Sequence, residues 1–403
     1  MKRSLMSRKI LVLIGLCLCL GLLAPQVQAK NQLVYFGTWG TWEHGPVPQS
    51  QRAMLSPDKA PAQGIYAAEF DPKTGHLSPL GIQAVLESAA WLKLHPTLPV
   101  LYAVASGIGG RPQEYDIYSY TIDNSCGKLW LINNMKSGGG DSTHLNIDAD
   151  SKTLFVANHN TGNVTALPLG PDGRVEKVVA GMDDYGSGPH VRQSHAKPHA
   201  VVVDPTHRYL LCADLGSDRI FVYHFDGATR SLSRANPPFT QLPPGSGPRH
   251  MAFHPNGKFL YLLTEFKAEI NAYNFDPENG NLNQFQLVQT YPENWDKVKS
   301  GAEIIATHDG KFVYVSLRAG QDCVIVYEVN QQNGKLTEIQ RISSKGEWPW
   351  CMDIDPTGKW MLVGNMNSNS VTVFKRDPAT GKLQATDESL QVPKPVTLVF
   401  YAN

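Results

Sequence analysis

A strand-like hexapeptide occurs seven times along the chain and constrains its fold more than any other feature. The copies are mostly apolar and end in a polar or charged residue: LVYFGT, LYAVAS, TLFVAN, YLLCAD, LYLLTE, VYVSLR and WMLVGN. Their last residues are Thr38, Ser106, Asn158, Asp214, Glu265, Arg318 and Asn365, and successive copies lie 47 to 68 residues apart. Seven β-repeats of about 50 residues are typical of a β-propeller, in which blades around one axis hide most strand edges.

Two turn motifs accompany the hexapeptide and define the rest of each repeat. A motif such as DPKTGHL or DPENGNL, with glycine in most copies, falls once between successive hexapeptides. A second turn, such as HPNGKFL or DPTGKWM, precedes six of the seven copies. Since glycine supplies the positive φ of a tight hairpin turn, each repeat is predicted to be a four-stranded antiparallel meander. The predicted fold is all-β, a seven-bladed β-propeller.

The two ends of the chain predict how the ring closes. The first hexapeptide begins at Leu33 with no inner strand before it, whereas the C-terminal segment KPVTLVFYAN is one strand more than the last blade needs. A C-terminal strand that joins the first blade accounts for both. A pair of β-sandwiches or an open β-solenoid would leave both ends unexplained.

The first 29 residues have the layout of a secretory signal peptide. Basic residues precede an apolar run from Ile10 to Leu23, and Val27 and Ala29 occupy the small-residue positions of a cleavage site. The alternative is an uncleaved membrane anchor, but the run is shorter than the roughly 20 apolar residues of a bilayer span. We expect residues 30–403 to form a single exported propeller domain, periplasmic or extracellular, with no membrane attachment after cleavage. An inserted loop at residues 40–63 explains the long first interval between repeats.

The charge balance and the cysteines limit the classes of partner. With 36 acidic and 36 basic residues, the chain offers no electrostatic reason to bind nucleic acid. Four cysteines follow the signal segment, and two of them, Cys212 and Cys323, lie in apolar strand patterns where free buried thiols are common. We therefore assign no disulfide from the sequence, which leaves the state of the four cysteines open, and we expect a monomer.

The hairpin GPRHMAFHPNGKFLYLLTE, residues 247–265, suggests where a functional site lies. A turn at Asn256-Gly257 pairs His254 with Phe259 and, counting outward, Arg249 with Thr264, next to Glu265. Both charged ends therefore meet at the edge away from the turn. Because blades repeat around one axis, equivalent positions are expected to form a ring at one mouth of the central channel, where converging polar groups bind small molecules.

The ring combines the hexapeptide ends with the starts of the preceding strands, which are Trp91, His144, His199, Arg249, His250, Glu303 and Trp350. From it we predict two sets of residues: a catalytic set of His199, Arg249, Glu265 and Arg318, and a substrate-binding set of His144, Asn158, Asp214, His250, Glu303 and Asn365. Structural alternatives exist, because Asp214 and Asn365 head turns, Arg249 and Glu265 can form a structural ion pair, and His144 can be a core histidine. The spacing of His190, His195 and His199 matches no metal-ligand motif, so no metal or other cofactor is predicted.

Taken together, these motifs resemble the seven-bladed propeller lactonase family, which includes propeller-type 6-phosphogluconolactonase and the 3-carboxy-cis,cis-muconate lactonising enzyme. The matching segments are YFGTW, GIYAAEFDPKTGHL, KPHAVVVDPTHRYLLCADLGSDRIFVY, GPRHMAFHPNGKFLYLLTE, GAEIIATHDGKFVYVSLRAGQD and DPTGKWMLVGNMNSNSVTVF. The resemblance implies that His199, Arg249, Glu265 and Arg318 occupy active-site positions and that no metal is needed. This chain departs from the family pattern at Ala105-Ser106, usually Asn-Glu, and at Pro349-Trp350, usually Pro-Arg.

Several functions remain open at this point. Hydrolysis of a lactone needs a general base, either Glu265 or His199, and a cation such as Arg249 or Arg318 to stabilise the oxyanion. The ring-closing reaction of the muconate type would use the same groups on a carboxylate substrate. A third possibility is an exported propeller that binds a ligand or protein without catalysis through Trp39, Trp42, Trp91 and the inserted loop. We predict a lactonase acting on a small lactone or carboxylate.

Overall fold

The computed structural model describes residues 32–40, 64–106, 116–150 and 152–402. Within these ranges the chain forms 28 β-strands in seven four-stranded antiparallel sheets, which confirms the predicted propeller. The predicted signal segment lies outside the described residues, as does nearly all of the inserted loop. No helix in the described part is long and apolar enough to span a bilayer.

The strands of each blade run from the channel outward in chain order, except in blade 1. Blade 1 contains β28 (Pro395–Tyr401), β1 (Gln32–Thr38), β2 (Gly64–Phe70) and β3 (Leu77–Val85). Blade 2 contains β4 (Ala89–Leu94), β5 (Val100–Ala105), β6 (Ile117–Ile122) and β7 (Leu129–Met135). Blade 3 contains β8 (Ser142–Asp148), β9 (Thr153–Asn158), β10 (Asn163–Pro168) and β11 (Ala180–Asp183). Blade 4 contains β12 (Pro198–Val203), β13 (Tyr209–Asp214), β14 (Arg219–Asp226) and β15 (Ser231–Gln241). Blade 5 contains β16 (Pro248–Phe253), β17 (Phe259–Thr264), β18 (Glu269–Phe275) and β19 (Leu282–Gln289). Blade 6 contains β20 (Gly301–Ala306), β21 (Phe312–Leu317), β22 (Cys323–Val329) and β23 (Leu336–Ser343). Blade 7 contains β24 (Pro349–Ile354), β25 (Trp360–Asn365), β26 (Ser370–Arg376) and β27 (Leu383–Gln391).

The last strand of the chain closes the ring as predicted. β28 pairs antiparallel with β1, and Phe36 lies opposite Leu398 in this register. The first and last strands thus share one sheet, and the inner strand missing from the start of the chain comes from its end.

The hexapeptides form the second strand of every blade, where both faces are covered by neighbouring blades. β5, β9, β13, β17, β21 and β25 are buried at every position. Each apolar cluster of the core lies between two consecutive blades; one of them, for example, joins Tyr261 and Leu263 of blade 5 to Val313 and Val315 of blade 6. A strand covered on both faces is apolar at successive residues rather than alternately, which is why the hexapeptides are almost wholly apolar.

A recurring hydrogen bond links six of the seven blades to the outer turn of the next blade. The donor is the aromatic side chain of the second strand, and the acceptor is a backbone oxygen: Tyr35 to Gly127, Tyr102 to Gly173, Tyr209 to Glu278, Tyr261 to Gly334, Tyr314 to Gly381, and Trp360 to Pro72. Blade 3 has Phe155 at the donor position. In the turn of blade 4 that faces Phe155, Arg230 has a φ of 56°. The equivalent position of the turns in blades 2 and 6 is a glycine, Gly127 with a φ of 74° and Gly334 with a φ of 72°.

A β-bulge near the start of the inner strands changes the predicted register. The pairs from His250–Leu263 to Phe253–Leu260 form as the Asn-Gly turn requires, but the next pair is Pro248 with Thr264. The predicted pairing of Arg249 with Thr264 is therefore wrong, because Arg249 is the extra residue of the bulge. The same irregularity places Ala90, Thr143, His199 and Trp350 in bulges. A bulge redirects its side chain, so the residue in it and the one after it point into different parts of the channel.

Candidate active site

The bulges surround a cavity of about 370 Å³ at one mouth of the channel. All five bulge residues named above line it, together with Glu265 and Arg318, which directly follow the second strands of blades 5 and 6. We call this cavity the catalytic pocket. The structure thus brings together His199, Arg249, Glu265 and Arg318, the four residues predicted as the catalytic set.

Glu265 lies among three arginines in the catalytic pocket. Its Oε2 accepts a hydrogen bond from Arg249 Nε at 3.2 Å, while its Oε1 pairs with Arg192 and lies 3.4 Å from Arg318 Nη2. Burial alone would raise the pKa of Glu265, but the three guanidinium groups lower it to about 2. The carboxylate is therefore ionised at physiological pH and is a weak base.

Arg249 and Arg318 are held rigidly, with 1% and 2% of their side chains exposed. Arg318 donates to Ser300 Oγ at 3.1 Å and to the Gly301 carbonyl oxygen at 2.8 Å, and Arg249 donates to the Ala302 carbonyl oxygen. Both guanidinium groups lie over the ring of Trp350, at 5.3 Å for Arg249 and 4.5 Å for Arg318. Burial lowers the pKa of Arg318 to about 10, so it remains a cation at neutral pH, and the cations are fixed in place for an anionic group.

His199 supplies a neutral imidazole ring in the same pocket. Its Nδ1 is buried and has no hydrogen-bond partner among the described residues. Burial, reinforced by the positive charge of Arg249, lowers the pKa of His199 well below 6.5. The ring meets His250 edge-on with centroids 5.1 Å apart. His199 is therefore neutral at physiological pH and able to accept a proton.

Several lining residues were not predicted as site residues, above all Arg192. It lies in the connection between blades 3 and 4, is 47% exposed, and belongs to no repeat, so a ring built from repeated positions could not include it. The neighbouring Gln193 anchors this connection by donating to the Leu215 carbonyl oxygen at 2.8 Å and to Asp218 Oδ1 at 2.7 Å. Asp141, His159 and Trp348 also line the catalytic pocket and were not predicted. Of the three tryptophans named in the binding alternative, Trp39 and Trp91 line this pocket, and Trp42 lies outside the described residues.

Three predicted binding residues, His144, His250 and Glu303, line a second cavity of about 540 Å³ farther along the channel, which we call the channel cavity. His250 lines both cavities, and its Nδ1 lies 2.7 Å from Glu303 Oε1. Burial raises the pKa of Glu303 to about 8. The predicted ring therefore corresponds to two layers, because the bulges separate adjacent residues.

The remaining predicted binding residues hold strand ends and line neither cavity. Asn158 Oδ1 accepts from Ser142 Oγ at 2.8 Å. Asp214 Oδ1 accepts from the backbone N and the Oγ of Ser217 at 2.7 and 2.8 Å, and Asn365 Nδ2 donates to Thr372 Oγ1 at 3.1 Å. Because these three side chains bond to neighbouring strand ends and line neither cavity, their positions favour a structural role over substrate binding for Asp214, Asn365 and Asn158.

In the described parts of the chain, no group of three or more His, Cys, Asp or Glu side chains is arranged to hold a metal ion. Cys126, Cys212, Cys323 and Cys351 are free thiols, so the structure contains none of the bridges that these four cysteines could form.

Comparison with known proteins shows close relatives along almost the whole chain. A family model described as lactonase, 7-bladed beta-propeller, matches residues 53–400. The 6-phosphogluconolactonase of Bacillus subtilis is 32% identical over 344 residues, 85% of this chain and 95% of the relative. The 6-phosphogluconolactonase of Formosa agariphila is 33% identical over 83% of this chain and 94% of its own. Among solved structures, a periplasmic gluconolactonase of Pseudomonas aeruginosa superimposes with a TM-score of 0.82 at 30% identity, covering 93% of this chain and 99% of that one.

Proposed function

Because the chain belongs to the family of seven-bladed β-propeller lactonases, we propose that it hydrolyses a lactone in the catalytic pocket, with His199, Arg249, Glu265 and Arg318 carrying the reaction. The observation that carries this proposal is the position of a neutral histidine beside two buried, fixed guanidinium groups. Ester hydrolysis needs such a pair of functions, a base for water and a cation for the developing oxyanion.

His199 is the group best suited to activate water. It is neutral at physiological pH because burial lowers its pKa, and its side chain lines the catalytic pocket. Glu265 is a poor alternative, since a carboxylate with a pKa of about 2 hardly holds a proton at neutral pH. In this mechanism His199 takes a proton from water as the hydroxide attacks the lactone carbonyl carbon, and returns it to the ring oxygen as the ester bond breaks.

Arg249 and Arg318 stabilise the negative charge that develops on the carbonyl oxygen. Their hydrogen bonds to carbonyl oxygens and their stacking on Trp350 fix both groups before the substrate binds, so little reorganisation accompanies the reaction. Glu265 keeps the two cations close together by neutralising part of their repulsion. With Arg192, three guanidinium groups face two carboxylates in the pocket, Glu265 and Asp141, which favours a substrate that carries an anionic substituent.

The first experiment is a panel of sugar and aliphatic lactones, with acid release followed by a pH indicator. Phosphorylated and unphosphorylated gluconolactones are the first substrates to compare, because relatives are named for both. His199→Gln is expected to lower the rate about 10²–10⁴-fold, the usual contribution of a general base. His224→Gln, on the exposed side of β14, is the matched control. Equal rates for His199→Gln and wild type would overturn the assignment of the base.

Export is part of the proposal. The basic and apolar layout of residues 1–29 and the likeness to a periplasmic gluconolactonase support a mature protein that starts at Lys30. Mass spectrometry of the protein released by osmotic shock tests this, and a peptide from before Lys30 in that fraction would contradict it.

A further inference from the structure

The channel cavity is lined by two successive rings of side chains from the inner strands. The ring nearer the catalytic pocket contributes Trp91, His144, His250, Glu303, Cys351 and Thr397. The ring two residues farther along each strand contributes Lys93, Asn146, Val202, Ala252, Ile305, Asp353 and Val399. The cavity continues to the turns at the opposite ends of these strands, where Asp309 and Gly358 lie, so it is reached from the other face of the propeller.

The second ring has both apolar and charged residues at equivalent positions of different blades. Four of its seven positions are apolar, namely Val202, Ala252, Ile305 and Val399, which indicates that packing requires no charge there. Lys93 and Asp353 are the two ionisable members; within the described ranges no ion pair of 4.0 Å or less joins them, although the charge of each shifts the pKa of the other. Two ionisable side chains that line one cavity, at positions where packing requires none, therefore indicate a ligand-binding role rather than a packing role.

We propose that the channel cavity is a second small-molecule site, which binds a polyhydroxy carboxylate with its carboxylate group on Lys93 and its hydroxyl groups on Asp353 and Glu303. This is the chemical class that hydrolysis of a sugar lactone releases, and the choice of ligand rests on the proposed function. The site is separate from the catalytic pocket, because the rings of Trp91, His144 and His250 lie between the two cavities with centroids 4.2 to 5.6 Å apart.

The protonation state of Asp353 and Glu303 favours hydroxyl groups of a ligand over an ammonium group as their partners. Burial raises the pKa of Asp353 to about 7 and that of Glu303 to about 8, so both carboxyl groups hold a proton for much of the time at neutral pH. Burial also lowers the pKa of Lys93, and a bound carboxylate would raise it again. The volume, about 540 Å³, lies within the usual range for small-molecule sites.

The test is calorimetric titration of the full chain with D-gluconate at neutral pH. Lys93→Met keeps the length of the side chain and removes its charge, and it is expected to weaken gluconate binding at one site at least 10-fold. Arg318→Met is expected to affect the other site, in the catalytic pocket. Lys152→Met, an exposed lysine in the turn before β9, is the matched control. Neutral D-glucose should not bind detectably at the Lys93-dependent site.

A second variant keeps the proposal falsifiable if Lys93→Met does not fold. Ala252→Leu fills the same cavity without changing charge, and it should also abolish binding there. Gluconate binding that is unchanged in the folded Lys93→Met protein or in Ala252→Leu would overturn the inference even if lactones are hydrolysed. Conversely, Lys93-dependent gluconate binding without hydrolysis of any lactone would uphold the second site and reject the proposed function.

Discussion

Replacing Glu265 by Gln removes the carboxylate that contacts Arg192, Arg249 and Arg318 while keeping the shape of the side chain. The surroundings lower the pKa of Glu265 from 4.5 to about 2. At about 1.4 kcal/mol per pKa unit, the folded state favours the ionised carboxylate by about 3 kcal/mol more than the unfolded chain does. We therefore expect Glu265→Gln to lower the free energy of unfolding at pH 7 by about 3 kcal/mol.

The loss depends on pH in a defined direction. Because the pKa is lower in the folded state, the stabilisation is fully present above the unfolded value of 4.5 and disappears as the pH falls towards about 2. Linkage predicts that about 2 kcal/mol of it is gone by a pH of about 3. The difference between wild type and Glu265→Gln should therefore shrink as the solution is acidified.

Urea denaturation at several pH values measures this difference. Glu347→Gln is the control, since Glu347 is exposed beside the catalytic pocket and a surface change usually alters stability by less than about 0.5 kcal/mol. A Glu265→Gln protein as stable as wild type at pH 7 would refute the reasoning. So would a loss of equal size at every pH, because the effect would then not arise from the ionised carboxylate.

Three further outcomes are expected. Arg318→Met should lower kcat on the best lactone about 10²–10³-fold, whereas Arg174→Met, an exposed pair partner of Asp172, should not. The wild-type rate should stay level as the pH falls from about 8 to 6.5, because the pKa of His199 lies well below 6.5; a decline centred at or above 6.5 would contradict its role as base. Arg230→Gly should raise the free energy of unfolding by about 1 kcal/mol, because glycine adopts a positive φ without the strain of a side chain. Thermal denaturation would detect this as a higher Tm. A lower Tm would instead show that the arginine stabilises its turn.

The fold was predictable because its signal repeats. A second strand covered on both faces must be apolar throughout, and seven such strands at regular spacing leave few architectures. The closing strand was equally predictable from the sequence, since the segment at 395–401 is one strand more than the last repeat needs and pairs instead with β1. The first 31 residues and most of the inserted loop lie outside the described structure, so export and the role of that loop remain predictions.

The catalytic set was predicted from position, and two features of its surroundings, the bulges and Arg192, could not be predicted for physical reasons. The bulges separate neighbours such as Arg249 and His250 into different layers. The bulge residues differ widely in type, from the small Ala90 to the large Trp350, so no shared sequence feature predicts which residue lies in a bulge. Arg192 comes from a connection outside the repeat, and its role depends on a contact with Glu265 across 73 residues of sequence.

The pairing of β1 with β28 has a consequence for truncated chains. Blades 2 to 7 are each built from consecutive strands, whereas blade 1 needs residues 395–401 from the other end of the chain. A chain that stops before residue 395 therefore lacks β28 and leaves the inner edge of β1 unpaired, which is the kind of surface that pairs with other chains. Closure of the ring thus requires translation through β28.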